Sequence, residues 1–84
     1  MHEGAVCREI MDIVSAAAVE NEIKNVYEIV ISVGPYSCIH EGQLNFYFDV
    51  LRKGTCMADA VIHLEKDESL TGESQMYVKT FKGE

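Results

Sequence analysis

Apolar side chains near the start of the chain recur at intervals of three and four residues. The positions that repeat are Val6, Ile10, Ile13, Val14 and Ala17. This spacing places one apolar stripe on an α-helix over about residues 4–20. A second stripe, made of Leu44, Tyr47, Phe48 and Leu51, predicts a helix over about residues 40–53. The Gly54 that follows Arg52 and Lys53 is typical of a helix C-terminus.

Three other segments have the alternating or β-branched pattern of strands. Residues 26–33 end at Gly34-Pro35 and are expected to bury Tyr27, Ile29, Ile31 and Val33. Residues 59–66 alternate Ala60, Ile62 and Leu64 with Val61, His63 and Glu65. Residues 75–81 follow a polar loop and are expected to pair back on the preceding strand as a hairpin. In the strand predicted at residues 59–66, His63 falls on the polar side and is expected to be exposed.

The order of these elements, α-β-α-β-β, predicts an α+β fold. A β-α-β unit forms a right-handed parallel crossover, and the last strand adds an antiparallel neighbour. The result is a small three-stranded mixed sheet with two helices on one face, in a single domain covering residues 1–84. The aromatic side chains of the second helix, Phe46, Tyr47 and Phe48, are expected to pack in the core. The two unpaired sheet edges suggest a homodimer formed by strand addition or swapping.

Charge and cysteine content narrow the classes of function. The chain has 84 residues and a formal net charge of −7, which argues against nucleic-acid and anionic-membrane surfaces because few Lys and Arg are available. No apolar stretch approaches the roughly 18 residues of a spanning helix. Cys7, Cys38 and Cys56 form no C-x-x-C pair, so we expect reduced thiols that act as small apolar filler in a cytoplasmic protein.

The first three residues, Met1-His2-Glu3, have the chemistry of a nickel site. The α-amine of Met1, the backbone nitrogen of His2 and its imidazole can close two adjacent chelate rings. Ni(II) accepts such a planar nitrogen array, and Glu3 adds a backbone nitrogen or a carboxylate. The amine and imidazole must be deprotonated, so affinity falls with pH. From these residues alone, the alternative interpretation is that His2 is a terminal residue without any metal role.

Four patterns in order resemble the HypA/HybF family of hydrogenase nickel-incorporation proteins. Met1-His2-Glu3 runs straight into a helix, and the first strand ends in Ile-Ser-Val-Gly at residues 31–34. The second helix carries Leu44-x-Phe46-x-Phe48-x-x-Leu51-x-Lys53-Gly54-Thr55, and the last strand reads Met76-Tyr77-Val78-Lys79. The resemblance covers nearly the whole chain except residues 66–74.

This resemblance implies a nickel-binding, metallochaperone-like accessory protein that serves maturation of a nickel enzyme of the hydrogenase type. It places Ni(II) at Met1, His2 and Glu3, and its partners would be a hydrogenase maturation GTPase or the nickel-enzyme precursor. His40 aligns with an acidic position of the family and could add a nitrogen ligand, with Glu41 as a substitute carboxylate. The alternative for His40 is an ordinary residue near a helix start.

One departure from the family opens a second hypothesis. Its members carry a zinc ribbon of two C-x-x-C pairs between the last two strands, whereas this chain has only the loop at residues 66–74. A structural zinc site is therefore not expected. The chain could instead be a non-catalytic interaction or regulatory module of HypA-like fold that delivers no metal. No Ser-His-Asp or Cys-His-Asp set and no glycine-rich phosphate loop is present, so we do not expect an enzyme.

Overall fold

The computed structural model describes residues 3–73 and 75–84. Its elements are α1 (Glu3–Glu20), β1 (Val26–Val33), α2 (Glu41–Leu51), β2 (Val61–Lys66) and β3 (Met76–Gly83). The three strands form one mixed sheet, with β2 parallel and β3 antiparallel to β1. The predicted α+β class and element order are thus confirmed. Within the described ranges, neither helix is long and apolar enough to cross a membrane.

The strand order is β2-β1-β3, so the predicted hairpin between β2 and β3 is wrong. The chain leaves β2, crosses the C-terminal end of β1 and pairs β3 with the far side of β1. Asp67 donates its backbone N–H to the carbonyl of Val33 at 2.7 Å as the crossing begins. Leu70 then passes so close to Gly34 that a Cβ there would collide with the Leu70 carbonyl oxygen. This order places β1, the most apolar strand, at the centre of the sheet. There β2 and β3 each pair with one of its edges.

Both helices and all three strands contribute to one hydrophobic core. Its buried residues differ in part from the apolar stripes that the sequence predicted. Fully buried side chains from every element except β3 contribute, the largest being Phe48, Ile10, Ile29, Ile31, Leu44, Met57 and Ile62. On α1, Cys7 and Ala18 are buried, whereas Ile13 is 46% exposed. In β1, Val26 is buried and Tyr27 is exposed, because the pairing with β3 is irregular between Val26 and Glu28.

Helix α2 buries only a narrow side, and this corrects the prediction for its aromatic residues. Leu44 and Phe48 have no exposed surface, as predicted. Phe46 is 70% exposed and Tyr47 is 44% exposed, so their predicted core positions are wrong. The reason is spacing: Leu44 and Phe48 are four residues apart on the face toward the sheet, and Phe46 lies halfway round the helix from Phe48.

The outer edge of β2 is closed by side chains of α2 and the residue after it. Asn45 donates its amide to the carbonyl of Ile62 at 2.8 Å and accepts the Ile62 N–H at 3.1 Å. The Leu64 N–H donates to Glu41 Oε1 at 2.7 Å, and Arg52 Nη1 donates to the carbonyl of Ala60 at 2.6 Å. These bonds occupy the groups that an added strand would need. The homodimer stays a prediction, and strand addition would have to use β3.

Candidate metal site

The start of α1 lies beside the middle of α2. A Cβ placed on Gly4, near the start of α1, would lie 3.7 Å from Cδ1 of Tyr47 on α2. Further along, Arg8, Met11 and Asp12 of α1 and Leu51 of α2 line one shallow depression. The helices therefore run in the same direction, and α2 begins near the C-terminal end of β2, where Glu41 accepts the Leu64 N–H. Crevices outside the carboxyl ends of parallel strands are the usual ligand sites of α/β sheets.

The residues predicted to bind nickel divide into two groups. Met1 and His2 lie outside the described residues. Glu3 is the first residue of α1 and is partly buried. A carboxylate in the first turn also interacts favourably with the positive end of the helix dipole. The structure thus provides a fixed attachment point for the segment that was predicted to bind nickel.

His40 immediately precedes α2. Its backbone is extended, with φ −112° and ψ 130°, and its side chain makes no hydrogen bond to cap the helix. The residue is exposed. Its imidazole therefore does not cap the helix, as a ligand role requires.

Glu41 is less suited to the role of a substitute carboxylate. Its Oε1 accepts the Leu64 N–H at 2.7 Å and lies 4.0 Å from Nδ1 of His63. One carboxylate oxygen is therefore committed to the edge of β2. His63 is exposed, as its position in the strand pattern predicted.

A groove of about 290 Å³ lies beside His40 at this end of the sheet. Its lining combines the end of β1, the connection to α2 and the end of β2, and comprises Val33, Gly34, Pro35, Ser37, Ile39, His40, Leu64, Glu65 and Lys66. Across residues 3–73 and 75–84, however, no three His, Cys, Asp or Glu side chains come together as a metal-binding group.

The three cysteines are free thiols in different surroundings. Cys7 is buried, and desolvation raises its pKa to about 11 despite the opposing charge of Arg8. It is the apolar filler that was predicted. Cys38 is exposed, so that prediction is wrong for it. Cys38 lies two positions before His40 in the sequence. Its exposure was not predicted, because no C-x-x-C pair marks it as a functional cysteine.

The loop that stands where a zinc ribbon was considered contains a hydrogen-bonded carboxylate, Asp67. The Ser69 N–H and hydroxyl donate to Asp67 Oδ1 at 2.9 and 2.7 Å. The Tyr77 hydroxyl donates to Asp67 Oδ2 at 2.9 Å. The bonds from Ser69, followed by the one from Tyr77, lower the pKa of Asp67. The Cys38 N–H also donates to the carbonyl of Glu73 at 3.4 Å, so the loop is attached to the candidate site.

Comparison with known proteins agrees with the fold described above. The chain is 36% identical over 63 residues to the hydrogenase maturation factor HypA of Actinobacillus succinogenes, covering 75% of this chain and 56% of that protein. Identity to HypA of Salmonella typhimurium is 30% over 69 residues, covering 82% and 58%. HypA of Escherichia coli K12 is 28% identical over 69 residues, covering 82% and 60%. The chain therefore spans little more than half the length of the curated relatives it matches.

The fold has a solved counterpart in the solution structure of the nickel metallochaperone HypA from Helicobacter pylori. The two superpose with a TM-score of 0.80 at 14% identity, and the match covers 99% of this chain and 97% of the other. In addition, the family described as HypA, a hydrogenase/urease nickel incorporation metallochaperone, matches residues 1–72. That range contains the N-terminal segment, both helices, β1 and β2. The chain belongs to the HypA family of hydrogenase/urease nickel incorporation proteins.

Proposed function

We propose that this chain binds Ni(II) at its N-terminus and passes it on during maturation of a nickel enzyme of the hydrogenase type. The supporting observation is that the HypA family match starts at residue 1 and so includes Met1-His2-Glu3. Gly4, directly after this segment, lies against Tyr47 of α2. His40, which precedes α2, lines a groove of about 290 Å³. Nickel is cargo in this proposal, and the protein supplies ligands and docking surfaces without catalysing a reaction.

The proposed ligands are the Met1 amine, the backbone nitrogen and imidazole of His2, and Glu3. Nitrogen donors in a plane suit Ni(II), and adjacent five- and six-membered chelate rings favour their simultaneous binding. The hypothesis requires a free amine on Met1, which intact-mass measurement checks. Because protons compete for the amine and imidazole, the complex should dissociate as the pH falls.

We include His40 in the proposal as an additional ligand. It directly precedes α2 in extended conformation, and its side chain makes no hydrogen bond to cap the helix. The residue is exposed. We expect His40 to add to nickel affinity without being essential.

Isothermal titration with Ni(II) tests the assignment of His2. Tag-free wild-type protein is compared with His2→Ala, His40→Ala and His63→Ala. We expect one nickel ion per chain in the wild type, a loss of at least tenfold in affinity in His2→Ala and a smaller loss in His40→Ala. His63→Ala is the matched control. His63 is exposed on β2, and its Nδ1 lies 4.0 Å from Glu41 Oε1. Equal affinity in wild type and His2→Ala would refute the site.

The proposed partners are a hydrogenase maturation GTPase or the nickel-enzyme precursor. A second function, an interaction module that delivers no metal, is favoured by the loop at residues 66–74, which carries no C-x-x-C pair between β2 and β3. Binding of purified GTPase, measured with and without stoichiometric Ni(II), separates the two. A delivery protein should transfer nickel to its partner, whereas a docking module should bind equally in both conditions and transfer none. The absence of structural zinc and the cytoplasmic location stay predictions.

A further inference from the structure

The carboxylate of Glu41 connects the start of α2 to the outer edge of β2. Its Oε1 accepts the Leu64 N–H at 2.7 Å and lies 4.0 Å from Nδ1 of His63. A hydrogen bond to an ionised acceptor is stronger than one between neutral groups. The bond joins residues that are 23 positions apart in the chain. It is therefore a tertiary contact of the first turn of α2, and helix formation alone does not account for it.

His40 directly precedes Glu41, and its backbone belongs to the same helix start. The His40 carbonyl accepts the Leu44 N–H at 2.9 Å, and Leu44 is fully buried. The His40 side chain, by contrast, is exposed and does not cap the helix. Because the backbone of His40 is part of the helix start, any change in how the first turn of α2 lies on β2 would move the imidazole with it.

The Glu41 contact also joins two parts of the groove beside His40. The lining of this groove includes His40 before α2 and Leu64, Glu65 and Lys66 at the end of β2. Because Glu41 follows His40 in the chain and accepts the Leu64 N–H, its side chain connects these two parts. Loss of the bond would let the start of α2 separate from the end of β2, and the imidazole would lose its place beside the groove.

The geometry favours this connecting role of Glu41 over direct binding of a metal ion. A ligand turns its oxygens toward the ion, whereas Oε1 of Glu41 accepts a backbone N–H of β2. Within the described ranges, Glu41 belongs to no group of three His, Cys, Asp or Glu side chains that could hold an ion. Residues that orient a metal ligand without contacting the metal still change its affinity when they are replaced.

We infer that Glu41 is a positioning residue for His40, which it places by attaching the start of α2 to Leu64, and that it is not itself a nickel ligand. The inference rests on the proposed nickel function, in which His40 adds to affinity. The bond to Leu64 needs an oxygen acceptor but not a negative charge. Gln has such an oxygen, so Glu41→Gln keeps the bond and Glu41→Ala removes it.

Isothermal titration of tag-free variants with Ni(II) tests this role. We expect Glu41→Ala to bind nickel about fivefold more weakly, a smaller loss than the partner of an essential ligand would cause. His40→Ala should show the same loss, and the double variant His40→Ala/Glu41→Ala should bind no more weakly than His40→Ala, because Glu41 acts through His40. Glu41→Gln should keep wild-type affinity. Glu20→Ala, which removes an exposed carboxylate at the end of α1, is the control and should also bind like wild type.

Hydrogen exchange of the same proteins without metal checks the contact itself. The Leu64 amide should exchange faster in Glu41→Ala than in wild type and Glu41→Gln. The Ile62 amide, which donates to Asn45, should stay protected in all of them, and this shows that the variants remain folded. Unchanged exchange of Leu64 in Glu41→Ala would contradict the contact and overturn the inference.

The pattern of nickel affinities separates this inference from the proposed function. A wild type that binds no nickel would overturn the proposed function and the inference with it. If wild type binds nickel and Glu41→Ala binds it equally well, the positioning role alone is wrong. A loss in Glu41→Gln as large as in Glu41→Ala, or additive losses in the double variant, would show that Glu41 is itself a ligand and would also overturn the inference.

Discussion

At the scale of single residues, Asp67 organises the described part of the crossover loop. It accepts two hydrogen bonds from Ser69 and one from Tyr77. These contacts connect the end of β2 to the start of β3 across a loop of polar residues. A carboxylate that accepts several hydrogen bonds can organise such a loop without a metal ion, since it satisfies donors from both sides at one point. We therefore expect this connection to fold without zinc.

Replacing Asp67 should destabilise the fold in a pH-dependent way. The pKa of Asp67 is lowered in the folded protein, so its ionised form stabilises folding above the unfolded pKa of about 4. That contribution disappears as the pH falls through the lower, folded pKa. In urea unfolding, Asp67→Ala should have a lower midpoint than wild type at pH 7, and the charge-dependent part of the difference should vanish in acid. Glu68→Gln, in the same loop, is the control, and an equal effect there would contradict the assignment.

Cysteine reactivity should follow burial. Cys7 is buried with a pKa near 11, whereas Cys38 is exposed. Because thiolates are the reactive form, iodoacetamide at pH 8 should label Cys38 within minutes and leave Cys7 unlabelled until the protein is unfolded. Peptide mass spectrometry with and without urea measures both sites. Rapid labelling of Cys7 in the native protein would show that the α1 packing is wrong.

At the scale of elements, α2 does three different things with three of its sides. One side fills the core through Leu44 and Phe48, and another closes the edge of β2 through Asn45 and Glu41. The third side exposes Phe46, Tyr47 and Val50. Such a division explains why an apolar stripe read from the sequence included Tyr47. Apolar spacing alone does not distinguish a core side from an exposed side.

Substitution of Asn45 tests how α2 closes the outer edge of β2. Its side chain makes hydrogen bonds to both backbone groups of Ile62. Asn45→Ala should lower the free energy of unfolding by about 1 kcal/mol, because water can replace only part of these bonds at a half-buried position. Hydrogen exchange of the Ile62 amide should accelerate as well. Gln43→Ala, on the exposed side of the same helix, should change stability by less than about 0.5 kcal/mol.

Two glycines offer opposite outcomes for the same substitution. Nothing lies within 4 Å of a Cβ on Gly42, so Gly42→Ala should stabilise the protein by about 0.5 kcal/mol through the helix propensity of α2. A Cβ on Gly34 would strike the Leu70 carbonyl, so Gly34→Ala should destabilise it by about 1–3 kcal/mol. Thermal unfolding measures both. Stabilisation by Gly34→Ala would contradict the path of the crossover loop.

At the scale of the whole molecule, local patterns predicted the elements but not how the strands are ordered. Helix and strand periods are properties of neighbouring residues, and they gave five elements in the correct order. Pairing of β3 with β1 instead of β2 depends on the loop crossing at Gly34, which involves residues more than thirty positions apart. A hairpin is the simpler expectation for consecutive strands, and here the burial of the apolar β1 outweighs it.

For the candidate metal site, the sequence predicted which residue types could bind nickel but not which nearby side chains are exposed. Met1-His2-Glu3 could be recognised from its nitrogen donors and from the family resemblance, and the family match now includes it. The exposure of Phe46, Tyr47 and Cys38 was missed. It depends on which side of an element faces solvent, a property set by packing against α1 and the sheet.

The most direct test of the central claim is an absorption titration of tag-free protein with Ni(II) at neutral and mildly acidic pH. We predict a d–d band typical of planar nickel that saturates at one ion per chain. The band should weaken in acid because protons displace nickel from the amine and imidazole. It should be absent in His2→Ala and retained in His63→Ala. A wild-type protein without this band, or a band that survives in His2→Ala, would contradict nickel binding at the N-terminus.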